Sequence, residues 1–223
     1  SELEKGTKPL PSITPVPRRD KYPLSFAQQR LWFLDRLEPG NLFYNISASS
    51  RFQGDLSIPI LEKTLNTLIE RHAAFRTSFI QEDGVPYQVI QDKLDILIPV
   101  IDLSLLPEDK REEEARRIAT EDVNTPFDLT KSPLLRTKLI KLHENDYVFI
   151  LNMHHIISDG WSMGIFWNEF IILYNAYLEG KDSPLTPLKI QYPDYTVWQR
   201  EQIRGDILKT QEDYWKSRFQ GEL

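Results

Sequence analysis

Two adjacent histidines, His154 and His155, close the most apolar run of the chain, and an aspartate follows four residues after the second of them, at Asp159. Neutral imidazole accepts a proton or donates a hydrogen bond near neutral pH, so a histidine facing a cavity suits general acid–base work or the positioning of a nucleophile. Neighbouring residues on an extended backbone point to opposite sides. One ring of the pair can therefore turn inward while the other faces a crevice, and crevices form where strands end in α/β folds. Asp159 admits two uses in a loop. It can orient a histidine, as the third member of a triad does, or it can pair with an arginine and pin the loop. Arg76 is the favoured partner for the second use, because it lies in an otherwise apolar stretch with Phe75, Phe79 and Ile80. A carboxylate and a guanidinium are tolerable in such surroundings only as a pair.

Other chemistries fit these residues less well. His, His and Asp are good metal ligands, but adjacent histidines on a strand diverge and no His-x-x-x-His helix is present. Ser158 is not in a Gly-x-Ser-x-Gly elbow, which argues against a serine nucleophile. His72, in a helix, and His143, in a turn, read as structural or exposed. A histidine pair alone is often surface or core filler, so its meaning depends on the elements around it.

Those elements follow from periodicity and caps. Ser25 caps a helix through Gln28, Leu31, Trp32 and Leu34, ended by Pro39-Gly40. A strand is expected over Tyr44 to Phe52. Ser57 and Pro59 open a second helix, in which Leu61, Leu65, Leu68 and Ile69 recur at helical spacing to about His72. Val85 to Ile90 reads as a short strand. Pro107 opens a highly charged helix with Glu108 and Asp109 in its first turn and a modest stripe of Ala115, Ile118, Ala119 and Val123; its run from Lys110 to Arg117 reads as a solvated face. Leu134 to Leu142 and Tyr147 to Met153 are strands joined by the turn His143 to Asp146, and the second is apolar enough to be buried on both faces. A helix from about Ser162 to Leu178 ends at Gly180, and a last amphipathic stretch runs from about Tyr192 to Phe219. Alternating strands and helices with a hairpin imply an α/β sandwich with a mixed sheet.

Composition bounds the function. With 223 residues, 40% of them hydrophobic, the chain can form one large unit or two small ones. A net charge of −6 without a basic cluster argues against nucleic-acid binding. The absence of cysteine excludes disulfides, thiolate catalysis and cysteine-ligated zinc, and fits a reducing cytosol. No apolar run approaches the ~20 residues that cross a bilayer, and the N-terminus lacks the apolar centre of a signal peptide, so the expected setting is the cytoplasm. Residues 1–21 hold Pro9, Pro11, Pro15 and Pro17 and read as a semi-rigid interdomain linker.

Four segments in order carry a resemblance. His154-His155-Ile156-Ile157-Ser158-Asp159-Gly160 resembles the His-His-x-x-x-Asp-Gly motif of the condensation domains of non-ribosomal peptide synthetases, and its core resembles the His-x-x-x-Asp motif of the chloramphenicol-acetyltransferase-like superfamily. Ser25-Phe26-Ala27-Gln28-Gln29-Arg30-Leu31-Trp32-Phe33-Leu34 resembles the opening motif of that family. Arg71 to Phe79 resembles the second, with Phe75 where Leu is usual. Tyr192 to Gln199 resembles the fourth, with Thr196 where Ala is usual.

The resemblance implies a chloramphenicol-acetyltransferase-like two-layer sandwich, with residues 22–223 forming the N-terminal lobe of a two-lobed domain whose C-terminal lobe is absent. It implies peptide-bond formation between a donor aminoacyl or peptidyl thioester and an acceptor aminoacyl thioester. Both are carried on phosphopantetheine arms of upstream and downstream peptidyl carrier domains beside an adenylation domain. The domain itself binds no cofactor and no metal. His155 matches the catalytic histidine and His154 the structural one. Asp159 and Arg76 match a pair that holds the motif loop, and Gly160 matches a position whose backbone lies beside the reacting groups. As an excised lobe the chain is expected to have little or no activity alone, with Trp215 and Phe219 exposed.

Among related forms, an epimerisation domain shares fold and histidines, but Trp161-Ser162-Met163-Gly164-Ile165 resembles the condensation form, and a heterocyclisation domain would carry Asp in place of the histidines. The opening motif and Ile156 to Trp161 lean toward the subtype that joins two L-residues. An inert carrier-docking module is the alternative of a different class.

Overall fold

The computed structural model describes residues 10–219. Its centre is a four-stranded mixed sheet in the order β2 (Asn45–Gln53), β7 (Asp146–His154), β6 (Leu135–His143), β5 (Val100–Asp102). β7 runs antiparallel to both β2 and β6, whereas β5 lies parallel to β6. As an inner strand of this sheet, β7 buries both faces, as its apolar run predicts. Phe149, Leu151 and Met153 pack with Leu61, Leu65 and Leu68 of α2 (Ile58–Arg71) and with Phe166, Phe170 and Leu173 of α4 (Gly160–Leu178). Ile150 packs on the opposite side, with Ala115 and Ile118 of α3 (Glu108–Val123). Complete burial of such side chains, at about 25 cal/mol per Å² of apolar surface, is the main force holding β7 and its C-terminal end in place.

The helix boundaries have local causes. Ser25 forms a capping box with Gln28 at the start of α1 (Phe26–Leu37). Pro59 sits in the first turn of α2, where its missing N–H costs nothing. Gly180 takes a φ of 70° just past the end of α4.

Three features depart from what the sequence predicts. First, a separate antiparallel sheet forms in the order β1 (Tyr22–Pro23), β4 (Val85–Ile90), β3 (Thr77–Glu82). β3 pairs with β4 through an Asp83-Gly84 turn in which both residues have positive φ, the geometry that matches strand twist in a two-residue hairpin. Second, the sheet gains the short edge strand β5; three residues carry too little alternation to show a period. Third, the last stretch is two helices, α5 (Tyr192–Gln202) and α6 (Gly205–Arg218), because Gly205 takes a φ of 54° between them. α6 has no buried residue, and Trp215 and Phe219 are exposed.

Of the Pro-rich segment, residues 1–9 lie outside the described residues, and residues 10–21 form neither helix nor strand. They lie against α5, with Trp198 Nε1 donating to the Pro11 carbonyl at 2.6 Å and Val16 N donating to Asp194 Oδ1 at 2.9 Å. No helix among the described residues is long and apolar enough to cross a membrane.

Candidate active site

β7 ends at His154, and the backbone on either side of His155 is pinned. His154 N donates to the Leu134 carbonyl at 3.0 Å and His155 N to the Tyr44 carbonyl at 2.8 Å. The His154 ring turns inward. It is 3% exposed, lies between the rings of Tyr44 and Phe127, and accepts at Nδ1 from Ile156 N at 3.1 Å. Burial, with the neighbouring His155 adding to it, pushes its pKa down to about 4, so the ring is neutral and its proton sits on Nε2. The His155 ring is exposed, makes no hydrogen bond to another described residue, and lines a cleft of about 370 Å³. The pair thus divides into one histidine that builds the loop and one whose ring nitrogens are free for a ligand.

Asp159 is the N-cap of α4. Its Oδ1 accepts from Ser162 N at 2.8 Å and from Ser162 Oγ at 2.7 Å, and these bonds hold the carboxyl below the usual carboxylate range. The expected pairing with Arg76 is not formed. Arg76 instead donates to the carbonyls of Ile69 and Glu70, at 3.0 and 3.2 Å, and to those of Gln91 and Asp92. It satisfies the open C-terminal carbonyls of α2 and ties them to the chain leaving β4. A guanidinium with five donors needs no carboxylate when backbone oxygens surround it, which is the physical reason the pairing expected from the sequence does not form. Gly160 opens α4, and a Cβ built there meets nothing within 4 Å, so nothing packed inside the lobe requires a glycine at this position.

The four ordered segments converge on the cleft. Its wall takes Ala27, Gln28, Arg30 and Leu31 from α1, His72, Ala74 and Phe75 from the end of α2 and the turn after it, His155 to Asp159 from the loop, and Tyr192 from α5. Leu188, Ile190, Ile165 and Phe166 complete an apolar side.

Sequence reasoning assigns no role to the polar groups that lock these segments together. Glu169, buried on α4, receives Arg71 Nε at 3.1 Å and lies 2.6 Å from His72 Nε2. His72 is therefore a wall residue tied to α4. Gln191 accepts from Ala73 N and donates to the Arg71 carbonyl, both at 2.9 Å. The Ser25 and Tyr192 hydroxyls share a bond of 2.9 Å. Glu169 carries one usable signal, a carboxylate within the otherwise apolar helix Ile165 to Tyr177; a charge so placed is buried only with partners.

Comparison with known proteins agrees with this geometry. The family model described as Condensation domain matches residues 18–223. The chain is 50% identical over 209 residues to a linear gramicidin synthase of Brevibacillus parabrevis, covering 94% of this chain and 4% of that protein. It is 40% identical over 225 residues to the phosphinothricin tripeptide synthetase PhsC of Streptomyces viridochromogenes, covering 99% of this chain and 21% of that one. The fold matches that of the X-domain and OxyB complex from teicoplanin biosynthesis with a TM-score of 0.87 at 26% identity, covering 98% of this chain and 47% of that chain. It also matches the starter condensation domain of rhizomide synthetase RzmA with a TM-score of 0.81 at 22% identity, covering 92% and 49%. The chain thus spans a small part of the synthetases and about half of the solved chains. With the family model covering nearly all of its length, the chain belongs to the condensation-domain family of non-ribosomal peptide synthetases.

Proposed function

We propose that this lobe supplies the histidine-bearing wall of an amide-forming site. The amine of an acceptor aminoacyl thioester attacks the carbonyl of a donor aminoacyl or peptidyl thioester. The C–N bond forms, the C–S bond breaks, the amine loses a proton and the departing phosphopantetheine sulfur regains one. The observation that carries this reading is the convergence of four distant segments on one cleft, where His155 alone of the pair presents an unbonded ring. An imidazole so placed can orient the amine and take its proton as the tetrahedral species forms. An α-amine is partly neutral near pH 7 to 8, so a strong base is not needed.

His155 is the catalytic residue in this reading. His154 and Asp159 shape the loop, Gly160 leaves room for the reacting groups, and Arg76 holds the scaffold beneath. The partners are upstream and downstream peptidyl carrier domains, an adenylation domain and a C-terminal lobe that forms the far wall, in a cytoplasmic synthetase. The test is dipeptidyl thioester formation by the intact parent module with both carriers loaded, followed by mass spectrometry. His155→Ala is expected to abolish product with carrier loading unchanged. Equal product from both proteins would remove His155 from the chemistry. No product from either would favour epimerisation or carrier docking.

A further inference from the structure

Gln28 occupies a position in the cleft wall that no catalytic group shares. It is 3% exposed, and every polar atom of its side chain is engaged. Its Oε1 accepts from Ser25 N at 3.0 Å. Its Nε2 donates to Gln88 Oε1 at 3.1 Å and to the Ile156 carbonyl at 3.3 Å. Gln88, 1% exposed, is held in turn, because its Nε2 donates to the Pro23 carbonyl at 2.8 Å and to Thr196 Oγ1 at 3.3 Å. The orientation of both amides is therefore set by their acceptors, with no second arrangement that satisfies the same groups.

The place where this chain of bonds ends is what matters. The peptide before His155 is fixed by the Tyr44 carbonyl, and the peptide after it by His154 Nδ1. The next peptide is held at its N–H by the His154 carbonyl, with Ile157 N donating at 3.1 Å, and at its oxygen by Gln28. Gln28 is the only side chain among these pins that comes from another helix, and it joins α1, β4 and, through Thr196, α5 to the His155 loop. Because the His155 ring has no bond of its own, its position depends on these backbone contacts.

We propose that Gln28 is a positioning residue for the amide-forming step, acting through the Ile156 carbonyl to hold the His155 imidazole against the reacting amine; this rests on the amide-forming reading above. A displacement of about 1 Å costs up to roughly 100-fold in rate. The requirement is a hydrogen-bond donor at the Nε2 position, so a carboxylate of the same shape fails when ionised and works when protonated.

The experiment uses the intact parent module with loaded carriers and compares native protein, Gln28→Leu, Gln28→Glu and His155→Ala across a pH series, with thermal melting of each. The expected result for Gln28→Leu is a kcat lower by about 10- to 100-fold with KM for the loaded carriers unchanged. Gln28→Glu should approach the native rate at low pH and fall below it as pH rises through its own titration. That divergence is one a purely structural role would not produce, and it stands even if Gln28→Leu fails to fold. If Gln28→Glu stays within twofold of native at every pH while His155→Ala is inactive, the proposal falls and the amide-forming reading survives. If the variants raise KM and leave kcat alone, Gln28 serves binding and the proposal again falls. If His155→Ala matches the native rate, the underlying reading fails and takes the role of Gln28 with it.

Discussion

Asp159 offers a direct contest between a cap and an ion pair. In the structure its carboxylate accepts two bonds from Ser162 at the start of the 19-residue helix α4. Replacing an N-cap acceptor by alanine costs about 0.5–2 kcal/mol, and the loss of negative charge at a helix N-terminus adds about 0.3–1 kcal/mol. Asp159→Ala is therefore expected to destabilise by about 1.5–2 kcal/mol. Asp159→Asn keeps the acceptor and loses only the charge, so it should cost about 0.5 kcal/mol. A buried pair with Arg76 would behave otherwise, since removing one partner strands the other charge at a cost of about 3–5 kcal/mol.

The assay is urea unfolding followed by circular dichroism, with the slope checked for constancy across variants. Arg76→Met is included, which should cost about 2 kcal/mol through its lost bonds to backbone carbonyls. Combined with Asp159→Ala, it should be additive to within about 0.5 kcal/mol. The pH dependence has a definite sign. The folded carboxyl lies below its ordinary value, so the charge contribution is complete above the unfolded value of about 3.9 and is lost as pH falls through the folded value. Asp159→Asn should show no such loss. An asparagine variant as weak as the alanine one, together with a coupling to Arg76 above about 1.5 kcal/mol, would refute the cap assignment.

Two further outcomes follow from the geometry. Asp122 is 3% exposed and receives Lys138 Nζ at 2.7 Å and Asn152 Nδ2, with Arg136 Nε at 3.7 Å. Burial works to raise its pKa, but these partners together hold it below the usual range. Asp122→Ala should cost about 3 kcal/mol by urea unfolding at pH 7, the lower part of the range for a broken buried pair because Lys138 and Arg136 keep access to water. Its deficit relative to the native chain should shrink as pH falls below about 4. Gly160→Ala should separate stability from function. A helical alanine is favoured over glycine by about 0.5–1 kcal/mol and meets no neighbour, so the melting temperature should rise while dipeptide formation by the parent module falls.

Local signals decided much of this protein. Ser25, Pro59 and Gly180 set helix ends because caps act through groups within a few residues of the backbone they satisfy. The apolar run of β7 declared its two-sided burial because a strand covered on both faces has no polar alternation to show. The order of four motif-like segments sufficed to name a family and the histidine that matters in it. The Asp83-Gly84 turn and the break at Gly205 are also local features, but a single glycine marks a turn only once the elements on both sides of it are known. What only the tertiary structure decided is who partners whom. Arg76 found carbonyls instead of Asp159, Glu169 gathered Arg71 and His72, and Gln28 reached Ile156 across 128 residues. Such bonds depend on the relative placement of whole elements, which is set by core packing summed over many side chains. A long polar side chain then takes whatever complementary group that packing brings within about 3 Å, and no pattern of neighbours along the chain encodes which one it is.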